Sequence, residues 1–123
     1  MELRIYTKKQ LEKSKPFVSF GRTGLVLLNK AAAKILSLKA GDCIEFADNP
    51  QTPEDWYVRK AKKSAFKLRP NTDNSLVCNA QDVCKSIKEA TDYPLTKTVQ
   101  YSMMEQPAEN GWHLLLTSKA KVI

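Results

Sequence analysis

Between positions 57 and 69 the chain sets the Tyr57 ring beside six cations: Arg59, Lys60, Lys62, Lys63, Lys67 and Arg69. Cations at that density track the phosphates of a nucleic acid. An exposed ring offers a base a stacking platform, on the order of 1–3 kcal/mol per stacked base. Lys and Arg on an edge strand also keep one sheet from pairing with another, without any partner. The charge distribution favours binding. Residues 1–69 carry fifteen Lys/Arg against seven Asp/Glu, a net of +8, and residues 70–123 carry five against six, a net of −1. The whole excess of a chain of net charge +7 lies in its first half, the footprint of a polyanion partner.

Other chemistry is scarce. His113 is the only histidine and follows Trp112 in an apolar stretch, which suits a structural role. Cys43, Cys78 and Cys84 are odd in number and lack C-x-x-C spacing, so neither a disulfide framework nor a zinc knuckle is indicated. Each reads as a small buried hydrophobe. Asp42, Glu45 and Asp48 are close in sequence, but strand alternation or a loop end separates them. Gly21-Arg22-Thr23-Gly24 lacks the G-K-[ST] that leads a phosphate loop into a helix, and reads as a hairpin turn. No nucleophile stands with a base at a recognisable spacing. The sequence therefore predicts a non-enzymatic protein with no cofactor and no metal site.

The elements that must position the basic face are those of one domain over residues 1–123, long enough for a single core. Its 42% apolar and 27% charged residues fit a globular chain. No apolar run is long enough for a membrane span or shaped like a signal sequence, which predicts a cytoplasmic protein with no membrane partner. Residues 1–15 read as a basic arm, with one helical turn or an extended path over Thr7–Glu12, ended by Pro16.

Beyond the arm, residues 17–61 and 65–118 spell the same unit: strand, strand, helix, strand, strand. Each copy has Asn at its helix start and Trp at the start of its last strand. The expected fold is α+β, two pseudo-repeated ββαββ halves forming antiparallel sheet with two packed helices. Leu25–Leu28 reads as a strand buried on both faces. Asn29 and Asn79 read as N-caps. Ala80, Val83, Ile87 and Ala90 define the apolar face of the second helix, with Lys85, Lys88 and Glu89 off it. Ile44–Asp48, Asp55–Ala61, Ala65–Arg69 and Ser75–Cys78 read as an antiparallel meander. Alternation turns Trp56, Val58, Phe66 and Leu68 inward and Tyr57, Arg59, Lys67 and Arg69 outward, while Lys60, Lys62 and Lys63 extend the patch into the next turn.

That order of elements resembles the Whirly, Pur-alpha and positive cofactor four families, in which two four-stranded units associate through their helices. The resemblance implies a curved sheet that binds single-stranded DNA or RNA, often in transcription, with residues 44–91 as one unit. A second resemblance is local. Gly24-Leu25-Val26-Leu27-Leu28-Asn29-Lys30 followed by Leu36-Ser37-Leu38-Lys39-Ala40-Gly41-Asp42-Cys43-Ile44-Glu45-Phe46 is similar to the AbrB-type swapped-hairpin DNA-binding domain, with residues 56–60 where its last strand lies. It implies an intertwined oligomer on double-stranded DNA. Asn29 stands in place of that family's usual proline, and Leu25 in place of a frequent basic residue. The resulting expectation is a transcriptional regulator that binds nucleic acid, single-stranded first. The alternatives are an AbrB-like duplex-binding regulator and a protein-interaction module with a basic surface. A homo-oligomer remains open.

Overall fold

Short runs of alternating apolar residues, bounded by Gly, Pro and Asn, favour strands joined by tight turns. The computed structural model describes residues 15–123 and is mostly strand. Its elements are β1 (Phe17–Phe20), β2 (Leu25–Leu28), α1 (Lys30–Ile35), β3 (Cys43–Asn49), β4 (Thr52–Ala61), β5 (Phe66–Lys67), β6 (Arg69–Pro70), β7 (Leu76–Asn79), α2 (Gln81–Thr91), β8 (Val99–Met103) and β9 (His113–Val122). The basic arm, with the helical turn or extended path expected over Thr7–Glu12, lies outside the described residues except for Lys15.

One asparagine organises the entrance to the first helix. The Asn29 side-chain oxygen accepts from Ala32 N at 3.0 Å, which caps α1, and from Phe17 N at 3.1 Å. Its amide donates to Lys15 O at 2.8 Å, so a single buried side chain joins the start of β1 to the start of α1. The β1–β2 hairpin turns through Gly24, whose φ of +92° favours glycine.

All strands pair antiparallel in one sheet, ordered β5-β3-β4-β9-β8-β1-β2-β7-β6. The two edges are consecutive pieces of chain. Between β5 and β6 lies Leu68, whose N–H donates to Asp42 O at 2.8 Å and whose carbonyl accepts from Gly41 N at 2.9 Å. The sheet thus curls into a nearly closed barrel. Inside it, Phe20 meets Tyr101 and Phe46 with ring centroids 5.5 and 5.8 Å apart, and Phe46 meets Phe66 at 5.7 Å. Val18, Val26, Leu28, Ile44, Val58 and Val99 fill the space around these tilted rings. α1 leaves β2 beyond Leu28, which pairs with Leu76; α2 leaves β7 beyond Asn79, which pairs with Leu25. The helices therefore close opposite ends.

This architecture overturns the expectation of two ββαββ halves with packed helices. Neither half has a sheet of its own: β1 and β2 are flanked by β8 and β7, and β3 and β4 by β5 and β9. Hydrophobic faces too small to close alone are buried by interleaving. The meander also fails. β4 and β5 both pair with β3, on its two sides, so residues 62–65 cross from one side to the other. Ser64 secures that crossing by donating to Ile44 O at 2.6 Å and accepting from Phe66 N at 3.1 Å.

Three local expectations need correction. β2 is buried on one face only, with Leu25 and Leu27 partly exposed, because alternation turns them to the outer side of the barrel. Asn79 does not cap α2; its side-chain oxygen accepts from Arg69. Ala90 is exposed and Lys88 is buried, since α2 lies over a barrel end and turns its Cys84–Ile87–Lys88 side inward.

Candidate nucleic-acid interface

The register of β3 against β4 places Glu45 opposite Arg59 and Ala47 opposite Tyr57 on the outer face. Alternation along β4 turns Trp56 and Val58 into the core, with Tyr57 and Arg59 on the other side. Arg59 is already engaged. Its Nε donates to Glu45 Oε1 at 2.5 Å, Nη1 donates to Asn110 O at 2.8 Å, and the guanidinium lies 4.0 Å over the Trp112 ring. Its charge is already paired with a carboxylate and set on a ring, which weakens its pull on a phosphate. Tyr57 lines a groove of about 410 Å³ together with Trp112, Asp48 and Glu109. Two carboxylates beside that ring repel a phosphate chain.

The lysines gather elsewhere, on the rim at the α1 end. Cys43 pairs with Ala61 of β4 on one side and Lys67 of β5 on the other. Lys62 and Lys63 occupy the crossing between those strands and are exposed, as is Lys67. Lys60 donates to Ser37 O at 3.3 Å and sits 3.5 Å from Asp42 Oδ2. The same carboxylate oxygen accepts from Lys39 N at 2.9 Å. That backbone hydrogen bond, with the Lys60 charge, holds the Asp42 carboxyl below its ordinary value against a smaller desolvation effect.

Lys39 thus joins the rim, although nothing in its own sequence position marks it. The signal is the Gly41-Asp42 turn, where Gly41 has φ +96° and Asp42 N donates to Lys39 O at 3.0 Å. Five lysines (39, 60, 62, 63 and 67) then lie on the chain segments that adjoin Asp42 and Cys43. Among the described residues, only Lys60 of these makes an ion pair. Arg69 lies farther along on exposed β6, its Nη2 donating to Asn79 Oδ1 at 3.3 Å.

The structure therefore divides the seven residues singled out by sequence. Lys60, Lys62, Lys63 and Lys67 come together, Arg69 continues their strand segment, and Tyr57 with Arg59 belongs to a separate groove. His113 is buried with Nδ1 2.9 Å from Met104 O. Burial pushes the Cys78 and Cys84 thiols up to about 11, so they stay protonated at neutral pH. Among the described residues no helix is long and apolar enough to cross a membrane, and no three His, Cys, Asp or Glu side chains form a metal-ligating group. No family model, curated protein or solved structure matches the chain.

Proposed function

We propose that this protein binds nucleic acid without catalysing a reaction on it, through the lysine rim at the α1 end of the barrel. One observation carries the reading: the Lys39–Asp42 turn and the crossing at residues 62–65 bring Lys39, Lys60, Lys62, Lys63 and Lys67 to one rim, where Asp42 engages the Lys60 ammonium, leaving a local excess of positive charge. Such an excess attracts a polyanion and releases its counterions on binding. Tyr57 stands apart from the rim, beside Asp48 and Glu109, so contacts to backbone phosphates fit better than base stacking. A role in transcriptional regulation, in the cytoplasm, is consistent with that mode.

Duplex DNA is a second reading, favoured by one specific observation. The β1–β2 hairpin is inserted between β8 and β7, away from β3 and β4, as in a swapped-hairpin barrel contained within one chain. Fluorescence anisotropy with single- and double-stranded oligonucleotides of equal length, at rising salt, tests both readings. Absence of salt-sensitive binding to either would refute the function. Binding only to an acidic protein would instead favour an interaction module.

A further inference from the structure

The structure assigns a second anion site, at the α2 end of the barrel, where Arg22, Lys85 and Lys88 face a cavity of about 160 Å³ suited to a phosphate group. The cavity lies between the Gly21–Gly24 turn and α2, and among the described residues no Asp or Glu lines it. This site is independent of the lysine rim, which lies at the opposite end.

Lys88 carries the inference. It is 1% exposed, yet among the described residues its ammonium makes a single hydrogen bond, donating to Gly21 O at 3.0 Å. Among the described residues no carboxylate lies within ion-pair distance of it. An ammonium has three donors, and a buried cation without a counter-charge is costly. Desolvation accordingly lowers its pKa. A lysine that served only to cover apolar surface would extend its head into water. Here the head is held against a carbonyl at the cavity wall, with two donors unspent among the described residues.

The walls are fixed in place. Ala80 N donates to Gly24 O at 2.8 Å, which anchors the start of α2 to the hairpin turn. A Cβ on Gly24 would lie 2.9 Å from Gln81 Cα, so the turn and the helix approach as closely as glycine permits. Arg22 and Lys85 are exposed at the mouth and make no ion pair among the described residues. Three cations, with no acid among the described lining residues, match a doubly charged tetrahedral oxyanion better than a carboxylate. The phosphate could belong to a small phosphomonoester or to a nucleic-acid backbone.

The test is a titration of the full chain with inorganic phosphate, followed by amide shifts in nuclear magnetic resonance, with chloride at equal ionic strength as the control. Saturable shifts are expected at Gly21–Gly24 and along the first turns of α2. R22Q/K85Q, which alters only exposed side chains, should weaken phosphate by about tenfold or more. K88Q should weaken it similarly, and the surface double variant keeps the test valid if K88Q does not fold. Absence of saturation at phosphate concentrations up to roughly 20 mM, or unchanged binding in R22Q/K85Q, overturns the site. Two further probes separate the sources. A nucleoside monophosphate and an oligothymidylate without terminal phosphates are compared, and shifts at these residues from either support the site. The rim variant K62E/K63E/K67E should retain the phosphate shifts; their loss there would overturn a separate site.

Discussion

The guanidinium of Arg59 lies 4.0 Å over the ring of Trp112, held there by Glu45 on the neighbouring strand and by the Asn110 carbonyl. The cation joins β3, β4 and the turn before β9. Replacing Arg59 with Ala should cost about 1–2 kcal/mol in urea unfolding, from the lost carbonyl bond, ion pair and ring contact together. Arg59→Lys should recover only part of it, because an ammonium cannot reproduce the planar fork. Oligonucleotide affinity should hardly change in either variant.

The rim should behave in the opposite way. K62E/K63E/K67E is expected to leave unfolding nearly unchanged and to weaken oligonucleotide binding strongly. For duplex DNA the slope of log K against log salt should become shallower by about 0.9 for each phosphate contact removed. Anisotropy titrations at several salt concentrations read this directly. An unchanged slope would place the interface elsewhere.

Asn29 satisfies two backbone N–H groups and one carbonyl from a buried position. Asn29→Ala should destabilise the protein by about 2–3 kcal/mol, since the cap is lost and buried polar groups are left unpaired. Asn29→Asp keeps the acceptor for Ala32 and Phe17 and loses only the donor to Lys15. It should fall between the two in chemical denaturation.

Alkaline pH should unfold the protein through its thiols. Cys78 and Cys84 are raised by burial from 9.0 to about 11 in the folded state. The protonated thiol is favoured by folding, so this stability is complete below pH 9 and is lost as pH rises towards 11. Each thiol contributes at most about 1.4 kcal/mol of loss per pH unit in that window. Tyr101, pushed up from 10.0 to about 12, extends the loss to higher pH. Lys88, lowered from 10.5 by desolvation, opposes part of it below that value. Unfolding midpoints measured from pH 8 to 11 should fall, and more gently in Cys84→Ala relative to its own neutral-pH midpoint.

Two glycines with positive φ should respond differently to alanine. At Gly24 the new Cβ meets Gln81 Cα at 2.9 Å, while at Gly111 it meets nothing within 4 Å. Gly111→Ala should cost about 1 kcal/mol of backbone strain. Gly24→Ala should cost clearly more, since α2 must also shift. Thermal unfolding of both variants measures the difference.

Alternation made the strand faces legible: Tyr57, Arg59, Lys67 and Arg69 do lie opposite the buried Trp56, Val58 and Leu68. Capping chemistry likewise marked Asn29. Pairing was not legible, because alternation carries no information about which strand lies alongside. The Arg59 partners illustrate this, since Trp112 and Asn110 come from the other end of the chain and convert an apparent binding cation into a structural one. Lys88 was hidden for a related reason: helical periodicity assigned it to solvent, and only the hairpin turn lying over α2 buries it. The rim itself required the crossing at residues 62–65, which brings Lys60 and Lys67 to either side of one strand.

Closure of the barrel at Leu68 has a mechanical consequence. Residues 66–70 lie in mid-chain and serve both edges of the sheet. If that short segment lifts away, β3 and β7 lose a neighbour together and two backbone edges become available to other chains. The seam has two protections: Pro70 has no N–H to offer on β6, and cationic Lys67 and Arg69 project outward beside it. The charges nearest the lysine rim thus also guard the place where the molecule is most open to self-association.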